Sequence, residues 1–500
     1  MLSSNTYSMD GTDGSGMAAW TGSRGGHDEA EGAGRTYICI DLKTFYASVE
    51  CAERGRDPFT TNLVVADPSR GPNTICLAIS PAMKALGIRN RCRVFEIPRD
   101  VDYIMARPRM RRYMEVSARI YGIYLQYVSP DDVHVYSVDE CFIDATPYLR
   151  LYRTDARGFA RELMGAVLAQ TGIYATAGIG TNLFLAKVAL DVTAKHDPHG
   201  IGELDEASFR EKIWPHRPIT DIWGIGPGIA ARLARHNVHD LMGVAALDER
   251  ILYDELGVDA EYLIDHAHGR EPCTIAEIHA YRPAAESISN GQVLHEDYDA
   301  ETARTVMREM VDASVLDLVA RHAVCERISL AVGYGRGAAP VPGTVGRGCV
   351  DPARHSAADD TMDFREGRGG WGEIYRGEHG TRRVGARGAF GHGGGQRKLG
   401  VRTNSFKELM AVFEELFDTT VDRTRAIRRI TVGFGDLMPE ELATEDLFTD
   451  TAAREEERSL ARAMLAVKGR WGGNALVRGT SFKQGATGRD RNEQVGGHHA

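Results

Sequence analysis

Apolar positions along this chain change period several times, and each change marks a new element. The run TYICIDL from Thr36 is apolar and β-branched, which predicts a buried strand. KTFYASVECA repeats apolar residues at helical spacing (Phe45, Val49, Ala52), so a strand runs straight into a helix with Asp41 near the strand's carboxyl end. NLVVAD and TICLAIS predict short strands, and PAMKALGI a helix opened by Pro81, where a missing N–H does no harm. HVYSVDECFIDAT predicts two strands joined by a tight turn at Asp139 and Glu140. DARGFARELMGAVLAQTG is an amphipathic helix (Phe159, Leu163, Val167), YATAGIG a strand, and NLFLAKVALDVTAK a helix with Asn182 as N-cap. Strands alternating with helices up to about residue 210 predict an α/β unit of mixed strand directions.

Residues 216–275 then read as short-looped helices, and a strand pattern returns over 284–435 in ESISNGQVL, RISLAVGYG and RRITVGFGDL. Between the first two lies a helix with one apolar face: Met307, Met310, Val311, Val315 and Leu318. Residues 336–400 are rich in Gly and Arg and read as a long flexible insertion, because so long a structureless stretch does not belong in a compact core. Residues 1–34, with little apolar periodicity, read as a disordered tail. The last stretch holds one amphipathic helix, ERSLARAMLAVKGR, and a polar, Gly-rich end.

Composition narrows the class. The 500 residues suggest roughly three domains. The hydrophobic content of 43% is that of a globular protein, and no apolar run is long enough to span a membrane, so a cytoplasmic protein without a secretory leader is expected. The eight cysteines form no CxxC pair, which argues against a zinc site and reads as free buried thiols in a reducing cytoplasm. The net charge of -10 speaks to solubility and leaves room for a local basic groove. Arg89 to Arg93, Arg107 to Arg112 and Arg423 to Arg429 are such basic runs, each equally readable as a solvated face.

The candidate chemistry lies in Asp41, Asp139 and Glu140. Adjacent carboxylates on exposed backbone repel, and divalent metals would hold them together. Two metals stabilise both the attacking and the leaving oxygen of an in-line displacement. The carbonyl of Leu42 could supply a further ligand. A solvated turn is the other reading of the Asp–Glu pair. Lys187 and Lys84 could neutralise a triphosphate; otherwise they make surface pairs, Lys187 with Asp191 at i+4. Phe45 or Tyr46 could stack under a deoxyribose and exclude a 2′-hydroxyl, with core packing favoured for Phe45. In DIWGIGPGIAARL, Gly224, Gly226 and Gly228 form a turn between two short helices, whose amides could reach a DNA phosphate; an ordinary αα turn is the alternative.

Together, IDLKTFYASVE, SPAMKALGI, YSVDECFID, GIGTNLFLAKVALD, WGIGPGIAARL and ESISNGQVL resemble the Y-family DNA polymerases, in their UmuC-like bacterial branch, from about residue 36 to the end. The resemblance implies an α/β (α+β) right-hand polymerase. Its ferredoxin-like palm would span 35–54 and 111–215, its small fingers 55–110, its helix–hairpin–helix thumb 216–283 and its α/β little finger 284–435, with 436–500 as a C-terminal tail. It implies template-directed translesion synthesis in SOS-type damage tolerance on two Mg2+ (or Mn2+) ions held by Asp41, Asp139 and Glu140. Tyr46 would be the sugar gate with Phe45 beside it. Lys187 would contact the triphosphate, and Lys84 stands where relatives often place an arginine, a point charge in place of a fork. Pro81 replaces a tyrosine often found there. Primer–template DNA and deoxynucleoside triphosphates are the implied substrates. The segment TEDLF, with Leu447 and Phe448, occupies the place of a sliding-clamp peptide, Thr444 replacing the usual Gln. A UmuD-like accessory protein is a further implied partner. The insertion could bind single strands or act as a linker. Two competing readings are a non-catalytic DNA-binding factor at stalled termini and a palm-type nucleotidyl cyclase. Tyr46 and the carboxylates disfavour the first, and the helix–hairpin–helix the second.

Overall fold

The computed structural model describes residues 34–283, 286–338, 391–444, 450–495 and 498–499. The chain divides into two compact units that meet in sequence at Arg282 and Pro283.

In the first unit, β1 (Tyr37–Leu42) leads into α1 (Phe45–Ala52). Three short strands follow, β2 (Leu63–Val65), β3 (Ala78–Ile79) and β4 (Ile104–Ala106), with α2 (Pro81–Ala85) after β3. They form their own sheet in the order β3-β2-β4. Pro81 opens α2, and the Ser80 hydroxyl caps it by accepting from the Met83 amide. Next come α3 (Met110–Tyr124), the pair β5 (Val133–Val135) and β6 (Glu140–Asp144), α4 (Thr146–Tyr152), α5 (Ala156–Thr171), β7 (Ala175–Gly180), α6 (Leu183–Val188) and β8 (Ile201–Leu204). The main sheet has the order β5-β6-β1-β7-β8. β1 runs antiparallel to β6 and β7, while β7 and β8 are parallel, which gives the mixed directions expected.

β1 is buried on both faces, as its unbroken apolar run requires. The pleat sends alternate residues to opposite faces. Ile38, Ile40 and Leu42 pack with α1, α3 and α5; Tyr37 and Cys39 pack with Phe142 and with Leu183 and Ala186 of α6. By the same alternation Asp41 belongs to the α6 face. α6 lies directly on β7: a Cβ at Gly178 or Gly180 would stand 2.1–2.2 Å from the α6 backbone, so only glycine fits there. The side-chain oxygen of Asn182 caps α6 by accepting from Leu185 N at 2.8 Å, as its position in the sequence predicts.

Short helices follow: α7 (Glu206–Lys212), α8 (Pro227–Ala234), α9 (Leu241–Ala246), α10 (Glu249–Leu256), α11 (Ala260–Ala267) and α12 (Ile275–Ala280). The glycine turn is flanked differently than expected. Its preceding element is a single 3-10 turn, Ile219–Asp221, and not an α-helix. Pro218 opens that turn, and Gly224 at φ +85° redirects the chain into α8.

The second unit holds β9 (Glu286–Tyr298), α13 (Ala300–Ala320), β10 (Ala323–Ala338), β11 (His392–Thr403), α14 (Phe406–Thr420), β12 (Arg425–Pro439) and α15 (Thr451–Trp471). The sheet order is β11-β10-β12-β9, all neighbours antiparallel. Met307, Met310, Val311, Val315 and Leu318 of α13 pack against it with Phe413 and Phe417 of α14. Two expectations are corrected. Residues 336–338 and 392–400, read as insertion, belong to β10 and β11. The polar, Gly-rich end, read as a C-terminal tail, is held by bonds to the second unit's α13. The Glu309 carboxylate of α13, 6% exposed, accepts from the amides of Thr487 and Gly488 at 2.8 and 2.9 Å. Arg478 pairs with Asp312 and lies 3.7 Å over the Phe406 ring. Glu309→Ala should therefore destabilise this unit by about 2 kcal/mol, the value of charge-assisted bonds to buried amides. A lowered thermal midpoint with faster proteolysis within residues 472–495 is the expected result.

Most of residues 1–34 and of the insertion, and Leu447 and Phe448 of the expected clamp segment, lie outside the described residues. No helix among the described residues is long and apolar enough to cross a membrane.

Candidate active site

The register of β1 and β6 makes Asp41 and Glu140 direct cross-strand partners. Directly opposed residues hold their Cβ atoms about 5 Å apart, where like charges destabilise the sheet. Asp139 immediately precedes β6, and its carbonyl accepts the Leu42 amide at 2.9 Å, closing the end of the ladder. The Ser137 hydroxyl donates to Asp139 Oδ1 at 2.7 Å and restrains that carboxylate. The sequence reading set Asp139 and Glu140 together in a turn; in the fold the turn ends at Asp139, and Glu140 is the first residue of β6, directly opposite Asp41.

Lys187 reaches the same face from α6. Its Nζ lies 2.8 Å from Glu140 Oε1 and 3.1 Å from Asp191 Oδ1, so the expected i+4 pair forms and an ion pair to Glu140 forms beside it. The helix continues as a π-turn, Ala189–Thr193, a local widening that often marks functional sites. The Cys39 thiol also donates to Glu140 Oε1, at 3.0 Å.

Charge in this pocket is under-compensated. Burial, then repulsion from Asp139 and Glu140, pushes Asp41 up to about 8 against the pull of Lys187. Burial likewise raises Glu140, with Lys187 opposing. Burial works to lower Lys187, but Glu140 and Asp191 more than reverse it and hold its ammonium above the usual lysine range. Three carboxylates with one embedded cation form a hard-oxygen donor set that suits a divalent ion. Among the described residues no three His, Cys, Asp or Glu side chains are already drawn together as a metal site, these three acids included. An open set of this kind fits ions that keep water and phosphate oxygens as ligands.

A stability test follows, with its sign. The folded Asp41 carboxyl binds its proton up to about pH 8, the unfolded one only to 3.8. Its stabilising contribution is full below 3.8 and is lost as pH rises through 8. Metal-free protein should therefore lose thermal stability across that window. Asp41→Asn should flatten the loss, and a divalent ion should restore stability at the alkaline end.

Tyr46, on the first turn of α1, is half-buried while Phe45 is 2% exposed, so Phe45 is core and Tyr46 borders the site. Burial and Asp139 raise the Tyr46 phenol to about 12, with Arg91 pulling against them. The ring of Tyr46 stacks on Tyr113 with centroids 4.6 Å apart at 26°. Tyr113 is fully buried and its hydroxyl donates to Glu50 Oε1 at 2.8 Å, where Arg109 Nε also donates at 2.9 Å. Sequence reading missed Tyr113; one of three tyrosines in an amphipathic helix, it carries no signal of this contact. Lys84, on α2, is exposed; partial desolvation lowers its pKa, and the charge of Asp41 pulls it back up.

Gly224, Gly226 and Gly228 frame the start of α8, with Gly226 as its N-cap and Pro227 at its first position. A Cβ at Gly228 would meet nothing within 4 Å, so the fold does not demand glycine there. Next to this turn, Trp223 Nε1 donates to the Tyr136 hydroxyl at 3.1 Å, tying it to the segment that carries Asp139.

The impB/mucB/samB family pattern matches residues 40–191, and the pattern of that family's C-terminal domain matches residues 285–447. UvrX of Bacillus subtilis (strain 168), named for UV-damage repair, is 30% identical over 305 residues, 60% of this chain and 71% of its own. DNA polymerase IV 2 of the same organism is 27% identical over 93% of this chain and 99% of its own. In fold, a Y-family DNA polymerase chimera superposes with a TM-score of 0.56 at 17% identity, covering 81% of this chain and 99% of that one. Taken with the carboxylate-bearing sheet, these matches show that the chain belongs to the impB/mucB/samB family, the Y-family DNA polymerases.

Proposed function

We infer that the chain extends a primer 3′-end against a DNA template, damaged templates included, using deoxynucleoside triphosphates. The observation that carries this is the cross-strand placement of Asp41 against Glu140, with Lys187 bonded to the latter. Asp41, Asp139 and Glu140, with the Leu42 carbonyl, would hold two divalent ions, Mg2+ by preference with Mn2+ able to substitute. When bound, the ions lower the pKa of the primer hydroxyl and offset charge on the triphosphate.

The chain's own residues do the positioning. Lys187 neutralises Glu140 and presents a cation to the triphosphate, and Lys84 adds a second from α2. Tyr46 walls the sugar site, supported from behind by Tyr113. The first turn of α8, entered through Gly224, Gly226 and Gly228, offers amides without intrahelical partners to a DNA phosphate. The first unit then supplies palm (35–54 and 111–215), fingers (55–110) and thumb (216–283), and the second the little finger, which grips the duplex. Leu447 and Phe448 would engage a sliding clamp, a UmuD-like protein is a candidate accessory, and the cytoplasm is the expected compartment.

The test is primer extension by purified protein with a templated primer, four deoxynucleotides and magnesium, on intact and lesion-bearing templates. Extension that obeys the template and requires the primer is the expected result. Binding of primer termini without extension, with manganese and a clamp also present, would overturn it in favour of a non-catalytic terminus-binding factor.

A further inference from the structure

Two cysteines outside the carboxylate site face each other in the small three-stranded unit. Ile75 and Arg93 form an isolated antiparallel bridge. One step along that register, Cys76 stands opposite Cys92, and its amide donates to the Cys92 carbonyl at 2.8 Å. The Val94 amide donates to the Thr74 carbonyl at 3.0 Å, which fixes the register on the other side. A full hydrogen-bonded antiparallel pair holds its Cα atoms about 5.5 Å apart; here one of its two bonds forms, and the Cys92 amide donates instead to the Arg89 carbonyl at 3.3 Å. A disulfide spans roughly 4.4–6.8 Å between Cα atoms. Both side chains lie in one cluster with Val64, Ile79, Met83 and Ile97, so both thiols point to the same side.

We propose that Cys76 and Cys92 are a reversible dithiol–disulfide pair that locks the segment joining the nucleotide-facing residues of this unit. Cys92 is the more reachable thiol, 8% exposed against 0% for Cys76. The closeness of the two thiols pulls Cys92 below the usual thiol range and pushes Cys76 well above it. Cys92 is therefore the attacking sulfur and Cys76 the resolving one. Arg89 and Glu96 are the charged groups facing Cys92.

The oxidant is a hydroperoxide, and the step balances. The Cys92 sulfur attacks one peroxide oxygen and the O–O bond breaks. The leaving hydroxide takes the thiol proton and becomes water, leaving a sulfenic acid. The Cys76 sulfur then displaces that hydroxyl, which takes the Cys76 thiol proton and leaves as water; with an alkyl hydroperoxide only the first leaving group differs, departing as an alcohol. Two thiols lose two electrons, the peroxide gains them, and one S–S bond forms. A dithiol reverses the reaction by exchange.

The position of the pair gives the bond a consequence. Arg91, at φ +60° in the tight turn before Cys92, carries a charge that pulls the Tyr46 phenol down. Cys76 leads through β3 and Ser80 into α2 and Lys84. A Cys76–Cys92 bond ties these two segments together, and displacing one ionic contact by about an ångström costs around tenfold or more. This consequence rests on the polymerase reading; the bond itself does not.

The full-length chain is treated with hydrogen peroxide, alkylated, digested and mapped by mass spectrometry. A linked peptide pair containing Cys76 and Cys92 is expected, lost on dithiothreitol treatment and absent from Cys76→Ser and Cys92→Ser. Its absence from peroxide-treated parent that keeps its thermal transition overturns the proposal. In parallel, oxidation should raise the parent's KM for the incoming nucleotide about tenfold, reversibly, with Cys76→Ser/Cys92→Ser unaffected. A linked protein with unchanged KM overturns the lock. A linked protein inactive in both redox states supports the disulfide and overturns the polymerase reading.

Discussion

Replacing Asp139 and Glu140 together by alanine is expected to reduce kcat for primer extension about a thousandfold or more, on the scale of removing preorganised charge from a transition state. Affinity for primer–template DNA should be retained, because neither residue lies on α8 or in the second unit. Thermal stability should also survive. Glu140 is held by Lys187 and Cys39, but it also repels Asp41, which its register sets directly opposite. Lys187 keeps Asp191 as a partner after Glu140 is gone. Relief of repulsion thus offsets the lost ion pair, and an inactive but folded protein is the expected outcome. A double variant that still extends primers at a rate near that of the parent would remove these two acids from the chemistry.

Which parts of this site could be read from the chain follows from how local each signal is. Asp41 was legible because an apolar strand ends beside it, and the end of a strand is where a polar side chain meets solvent. Its pairing with Glu140 was not, since register between β1 and β6 depends on the whole ladder from Tyr37 with Asp144 onward. Asn182 announced its helix, because a cap is a three-residue interaction. The π-turn at Ala189–Thr193 left no mark, since its residues repeat at ordinary helical spacing.

The second unit hid more. HGGGQRKLGVRT reads as a loop, because glycine weakens strands and usually marks turns. In the fold it is β11, and two of its glycines are required by neighbours: a Cβ at Gly393 would stand 2.2 Å from the Tyr334 hydroxyl, and at Gly394, whose φ is +114°, one would stand 2.0 Å from the Leu330 carbonyl oxygen. Glu309 reads as a polar position on an amphipathic helix, yet it is buried beneath residues far along the chain. A carboxylate that waits for two distant amides cannot be told from a solvated one by period alone.

Tyr46→Ala is expected to raise incorporation of ribonucleotides relative to deoxynucleotides by about a hundredfold, the scale on which a shaped pocket rejects one added hydroxyl. The prediction depends on the ring being a fixed wall, and its supports are specific. Tyr46 leans on Tyr113, Tyr113 is anchored by Glu50, and Glu50 is held in turn by Arg54 and Arg109. Tyr46→Phe keeps both the stack and the volume, so it should discriminate as the parent does. Tyr113→Ala removes the support and leaves the gate residue in place, so its discrimination should fall between those of the parent and Tyr46→Ala. The ratio of kcat/KM for single deoxy- and ribonucleotide insertions reads all three. If Tyr46→Ala leaves that ratio unchanged, sugar selection lies elsewhere and the stacked pair is only packing. If Tyr113→Ala matches the parent, Tyr46 holds its place through α1 alone.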